Sequence, residues 1–293
     1  LTNFKNSYGI FEFMSNQGWT NNLKLDTTTA LYAGISAEKA KLPEEAAVYY
    51  GKIAENKATG EGFVEIYKWL ADHHYRKKDV ETAQKFLNLG KEVYPADPFW
   101  PEFELDMMRE GGDKAKLFEK YEEVIAANPS NNLYHFNYGV ELYQAGYNPD
   151  STQRPANSKE LIEKSVKHLN ESVKLKDDYP NAHLLLGQIF YNQGVDINNF
   201  NKTIRPKGNA KLTPTELKKK EELRGEMNKK YDEALVHFNK VDEILGSKGK
   251  LKAEEKNQLK DTYDLMISIY EQRQDKDKAA AFTDKFNNVE KNH

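Results

Sequence analysis

Residues 67–95 read YKWLADHHYRKKDVETAQKFLNLGKEVYP, and this stretch decides the fold. Tyr67, Leu70, Ala71 and His74 fall three and four residues apart, and so do Ala83, Leu87 and Gly90. Side chains at those intervals share one face of an α-helix. Ala71 and Ala83 are small enough to let two antiparallel helices approach closely, and Leu87 fills the space beside them. Pro95 stops the second helix, because proline has no backbone N–H and clashes with the preceding turn.

The same order of small and large residues recurs on both sides of this stretch. A small or apolar residue is followed 12 positions on by Ala or an equivalent, 4 later by a ring or Leu, and 3 later by another core residue. Gly34, Ala46, Tyr50 and Ile53 make the first instance, and Leu105, Leu117, Tyr121 and Val124 the third. Gly90 to Leu105, Val124 to Gly139 and Ser172 to Gly187 are each 15 residues, so the joints between units are equal. The fourth unit carries Tyr138-Gly139 and Leu142, then Ser165, Leu169 and Ser172. The fifth carries Leu186-Gly187 and Phe190, then Ala234, Phe238 and Val241. The sixth has Tyr263, Met266, Ile267 and Tyr270, then Ala279 and Phe286. It lacks a small residue at the crossing, and its polar end reads as a cap.

The pattern resembles the tetratricopeptide repeat (TPR), whose consensus runs W-x2-L-G-x2-Y, A-x3-F and P. The resemblance implies an all-α fold, a right-handed α-α superhelix of about six helix-turn-helix repeats. They span 27–60, 64–97, 98–131, 132–179, 180–246 and 252–288 in one solenoid over 1–293. Within residues 1–26, Phe4, Tyr8, Phe11 and Met14 lie at helical spacing. This segment is either the second helix of a preceding repeat or a lone capping helix.

Repeats four and five depart from the pattern in the turn between their two helices. Gly139 to Ser165 is 26 residues instead of 12, and Gly187 to Ala234 is 47. The first insertion, near 148–158, holds Asn148-Pro149-Asp150 and Arg154-Pro155, which is turn chemistry. The second, near 198–217, reads as coil from Asn198 to Leu212. Thr213-Pro214-Thr215-Glu216 then gives a helix start with a capping box. Equivalent turns of a stacked solenoid line one edge, so register places the two insertions side by side. The helix from Pro214 to about Leu245 is over twice the usual TPR length, and its Lys218–Glu222 start should project beyond the stack. Residues 202–230 hold ten Lys/Arg and four Asp/Glu, a local charge of +6. The whole chain carries −3, so the remainder carries −9. That basic stretch is either an arm for an acidic partner or membrane surface, or a helix kept soluble by charge.

Composition narrows the chemistry. The 38% apolar residues suit a thin solenoid with a large surface, and 17 Tyr and 14 Phe supply much of its apolar area. There is no Cys, which excludes disulfides, thiolate metal sites and Cys nucleophiles. A Cys-free chain that begins at Leu1 leans towards an exported rather than a cytoplasmic protein. Near-neutral charge gives no sign of a nucleic-acid partner, and no apolar run reaches the ~20 residues of a membrane span. His73 and His74 are adjacent and point apart, with His74 at a packing position. His135, His168, His183 and His237 are scattered, without metal-ligand spacing. No nucleotide-binding or nucleophile motif is present, so neither cofactor, metal nor catalysis is expected.

The expected partner is a protein or peptide. In TPR proteins a concave groove lined by the first helix of each repeat holds the ligand. The resemblance carries this over to Lys68, Asp72 and Tyr75 in repeat two, and to Asp106 in repeat three. It also carries to Phe136 and Tyr143 in repeat four, and to Gln188 and Tyr191 in repeat five. Asp72 and Asp106 stand where carboxylate-clamping TPR proteins need Asn, so an anionic peptide tail is not the expected ligand. The rings of Phe136, Tyr143 and Tyr191 are the expected anchors, or else they pack between repeats. A second expectation is a structural subunit or assembly factor that binds through the insertions and the basic helix 214–230.

Overall fold

Capping and crossing residues set where each helix begins and which neighbour it meets. A computed structural model describes residues 1–18, 20, 25–206 and 211–293. It is all-α, with no strand among the described residues. It forms two compact units, Leu1–Gly112 and Asp113–His293.

The first unit contains α1 (Thr2–Asn16), α2 (Thr27–Lys39), α3 (Pro43–Glu55), α4 (Phe63–Arg76), α5 (Val80–Val93) and α6 (Phe99–Gly111). Asp26 opens α2 by accepting the Thr29 N–H at 3.0 Å, and Asp79 opens α5 by accepting that of Thr82 at 3.2 Å. The helices pack in consecutive pairs, α2 with α3 and α4 with α5. Gly34 lies under the Tyr50 ring so closely that a Cβ there would come within 2.3 Å of it. Trp100 sits on Gly90 in the same manner, and its Nε1 donates to the Tyr94 carbonyl at 2.8 Å. Tyr67, Leu70, Ala71, Ala83 and Leu87, read from the sequence as packing residues, are all fully buried. Helix α1 buries Tyr8, whose ring meets Tyr49 edge-on, whereas Phe4 and Met14 stay exposed.

Three turns share a backbone device. Lys41, Lys78 and Gln274 each have positive φ, between 58° and 66°. Each stands two residues before the first residue of the next helix. The chain thus reverses through one left-handed residue, which favours glycine. None of these three positions has it.

The second unit contains α7 (Lys114–Ala127), α8 (Asn132–Gly146), α9 (Ser158–Leu175), α10 (Pro180–Thr203), α11 (Pro214–Gly246), α12 (Ala253–Gln272) and α13 (Lys276–Asn292). The pairs here are α8 with α9, α10 with α11 and α12 with α13. Leu169 covers Gly139, and Phe238 covers Gly187 with a Cβ-to-ring approach of 2.3 Å. The serines at small positions on α9 also tie the pair. Ser165 Oγ donates to the Gly139 carbonyl at 2.7 Å and Ser172 Oγ to that of Asn132 at 3.0 Å. The unit boundary falls inside the third expected repeat, so α6 is described with the first unit and α7 with the second.

The insertions differ from their reading in sequence. Coil was expected from Asn198, but α10 runs on to Thr203. The cause is a second crossing. Gly194 lies 2.4 Å, measured as a Cβ, from the Tyr231 ring, repeating the Gly187–Phe238 contact two turns further along. The helices therefore stay together past the normal repeat. Asn201 Nδ2 donates to the Lys220 carbonyl at 3.3 Å, and Lys220 Nζ donates back to the Asn201 carbonyl at 3.0 Å. Just after the Lys218–Glu222 start of α11, Leu223 and Met227 are buried. Its capping box forms as read. The Glu216 N–H donates to Thr213 Oγ1 at 3.2 Å, and Glu216 Oε2 accepts the Thr213 N–H at 2.7 Å. At 33 residues α11 is about 50 Å long. The shorter insertion forms one 3₁₀ turn, Ser151–Gln153. From it Arg154 reaches α10 and holds Asp196 with two hydrogen bonds, of 2.8 and 2.9 Å.

Candidate functional site

Each unit has an open groove between successive first helices of its pairs. In the first unit it encloses about 670 Å³. Leu31 and Ile35 on α2, Ile66 and Trp69 on α4, and Phe99 on α6 supply apolar surface. Three carboxylates (Glu38, Glu65, Asp72) and two cations (Lys68, Arg76) line it. Lys68 is held by Asp97 at 2.8 Å and Glu65 at 3.0 Å, and Arg76 by Asp72 at 2.7 Å. Both cations are thus already neutralised within the chain. Tyr50 donates its hydroxyl to Glu38 at 2.5 Å, which fixes that carboxylate. Burial, and next that bond, push the Tyr50 hydroxyl pKa up.

The groove of the second unit encloses about 700 Å³ between α8, α10 and α12. Phe136, Val140, Leu184 and Leu185 give it apolar surface, and Asn181 and Gln188 give it amides. The α12 side is acidic, with Glu254, Glu255 and Asp261 against Lys252. Gln258 Nε2 on α12 donates to Asn181 Oδ1 at 2.8 Å, bridging the two helices.

Lys68 and Asp72 therefore share one groove, and Phe136 and Gln188 share the other. The remaining expected residues sit elsewhere. Tyr75 donates to Glu110 Oε2 at 2.9 Å and meets Phe103 edge-on, and burial pushes its pKa up to about 12. Asp106 is exposed and pairs with Arg109 at 2.5 Å. Tyr143 is half-buried, stacked on Tyr147, and its hydroxyl accepts from Asn192 Nδ2 at 2.7 Å. Burial raises its pKa. Tyr191 stacks on Tyr231 with ring centroids 5.8 Å apart. Neither Tyr143 nor Tyr191 lines the groove of the second unit.

The sequence reading missed Trp69 and the acidic α12 wall. Trp69 follows Lys68 directly and stacks on His73 with centroids 4.7 Å apart, an i,i+4 pair visible in sequence. The α12 wall had no such signal, because repeat six lacks the small residue that would have fixed its register. Among the described residues no three His, Asp or Glu side chains converge on a metal position. No described helix is long and apolar enough to cross a membrane.

No protein-family model matches the chain, and no curated protein matches it. Among solved structures it is similar to a monomeric mutant of IFIT1 in a structure with Gppp-AAAA. The two share 14% identity over 90% of this chain and 70% of that one, with a TM-score of 0.30. At that score the fold class rests on the helix pairs themselves.

Proposed function

We propose that this chain is a non-enzymatic helical-repeat module that holds a segment of another polypeptide in the grooves between its first helices. One observation carries the reading: both grooves combine apolar surface with more carboxylates than cations. Such a surface favours a segment with apolar anchors and neutral or basic flanks. It disfavours a free carboxylate, since Lys68 and Arg76 are already paired. Lys68, Asp72, Phe136 and Gln188 are the proposed contacts, and Tyr143 and Tyr191 position the helices that carry them. A continuous TPR solenoid over the whole chain is part of the same proposal, motivated by the equal 15-residue joints.

Fluorescence anisotropy with a labelled synthetic peptide of lysine and leucine tests it. Wild type should bind. Glu65→Lys with Asp72→Lys in the first unit, and Glu254→Lys with Glu255→Lys in the second, should together weaken binding about tenfold or more. Absence of binding by wild type, or equal binding by the variant, would sink the reading.

A further inference from the structure

The extensions of α10 and α11 form a two-helix arm with a groove of its own. Beyond Gly194 on α10 and before Tyr231 on α11 the two helices continue as a pair, whereas α12 ends at Gln272. A groove of about 610 Å³ results, sharing no residue with the other two. Asn198, Asn201 and Lys202 line it from α10, and Leu217, Lys220 and Arg224 from α11. Met227 and Gln272 also line it.

Its electrostatics are opposite to those of the other grooves. Among the described residues the side-chain cations of Lys202 and Arg224 have no ion pair or hydrogen bond, and both are exposed. Lys220 spends its ammonium on the carbonyls that end α10, Asn201 O at 3.0 Å and Ile204 O at 3.3 Å. Among the described residues Glu221 is the one carboxylate lining the groove. The three cations outnumber it, in a chain whose net charge is −3.

A further feature defines the complement. Leu217 is 54% exposed although it lines the groove, so apolar area is open beside the cations. The complement must therefore offer anionic groups and apolar side chains together, in a form that enters a groove between two helices. An acidic polypeptide segment does so. Inorganic phosphate has no apolar surface, and a flat membrane surface does not enter a groove.

We propose that this groove docks an acidic, leucine-bearing segment of a partner polypeptide, using Lys202 and Arg224 for its carboxylates and Leu217 for its apolar anchor. The site is independent of the grooves between the first helices, which favour basic segments. The two readings therefore fail separately.

The probe is a labelled synthetic helix of glutamate and leucine, read by anisotropy on the full chain. Wild type should bind it, more weakly as salt is raised. Lys202→Glu with Arg224→Glu should weaken binding about tenfold or more, and Leu217→Ser should weaken it several-fold. The charge-reversed variant should gain affinity for a lysine–leucine peptide. Unchanged helical circular dichroism keeps these losses from being unfolding, since all three side chains are exposed. Unchanged affinity in the charge-reversed variant overturns the proposal. So does equal competition by inorganic phosphate, or binding to phosphatidylglycerol vesicles that depends equally on these residues. Self-association lost in the same variant would make the occupant a second copy and overturns it as well.

Discussion

His135 Nδ1 lies 3.1 Å from His168 Nδ1, across the α8–α9 crossing. His183 and His237 repeat the contact at 3.1 Å across α10 and α11. The register is the same in both. The first histidine stands four residues before the crossing glycine, Gly139 or Gly187, and the second stands one before the residue that covers it, Leu169 or Phe238. The outer nitrogens fix the tautomers. His135 Nε2 faces the Pro129 carbonyl at 3.3 Å and His183 Nε2 faces that of Asp177 at 3.0 Å. A carbonyl only accepts, so both Nε2 atoms carry hydrogen and both Nδ1 atoms accept from the partner ring. His168 and His237 donate through Nδ1.

This pairing predicts acid sensitivity in the second unit. Burial first, and the facing histidine next, lower the pKa of both His168 and His237 to about 4. Lys164 and Lys167 lower that of His168 further, and Glu122 opposes them. Around His183, also lowered by burial, Asp177 and Glu243 oppose Lys240. The unfolded chain, with histidines near 6.5, binds more protons between these limits. Stability is therefore present in full above about 6.5 and falls as pH drops towards 4. Discounted for partial exposure, each histidine contributes on the order of 1–2 kcal/mol to the loss. Urea midpoints followed from pH 7 to 4 should fall in wild type and fall less steeply in His168→Gln/His237→Gln. Parallel slopes would exclude these pairs as the cause.

Gly194 and Gly225 should respond oppositely to alanine. A Cβ at Gly194 would approach Tyr231 Cε1 to 2.4 Å, and Tyr231 is fully buried. Gly194→Ala should cost about 1–3 kcal/mol through overpacking. A Cβ at Gly225 meets nothing within 4 Å, on an exposed face of α11. Gly225→Ala should stabilise by up to about 1 kcal/mol through helix propensity. Chemical denaturation of both variants checks the pair.

Lys78 occupies the left-handed turn position between α4 and α5, with φ of 66°. Lysine holds that conformation at a cost of roughly 1 kcal/mol, which glycine avoids. Its ammonium lies 3.9 Å from Glu110, both side chains well exposed, a pair that contributes little. Lys78→Gly should therefore raise stability by up to about 1 kcal/mol, seen as a higher thermal midpoint. A lower midpoint would mean that the side chain matters more than the backbone.

The helix pairs were legible because their signal is local: small residues and rings at fixed offsets, with the order of helices following from chain order. Gly34–Tyr50 could be read directly, and Gly187–Phe238 by matching the order of small residues and rings on either side of the insertion. The extension of α10 was not, because Gly194 and Tyr231 add a second crossing that the repeat order does not contain. The histidine pairs were hidden as well. Separations of 33 and 54 residues look unrelated until the first histidine is counted from its crossing glycine and the second from the residue that covers that glycine. For the grooves, the TPR resemblance pointed to Lys68, Asp72, Phe136 and Gln188. It could not say that Tyr143 turns towards Asn192 and not into the groove, since that depends on the neighbouring helix.

Arg154 joins the shorter insertion to the longer helix pair. Its guanidinium makes two hydrogen bonds to Asp196 and lies over the Tyr147 ring, 4.4 Å from the centroid. Arg154 Nε also donates to the Asn148 carbonyl at 2.6 Å, closing the loop on itself. The Arg154 side chain is only 15% exposed and that of Asp196 31%, so the pair is less screened than an ordinary surface pair. Removing Arg154 leaves a half-buried carboxylate, whereas Asp196→Asn keeps an acceptor for the guanidinium. Arg154→Ala should therefore cost about 2–3 kcal/mol and Asp196→Asn about 1 kcal/mol. The cycle through the double variant should give a coupling energy near 1 kcal/mol. Coupling near zero would mean that Arg154 acts through Tyr147 and Asn148 alone, and that the insertion is held by its own loop and not by α10.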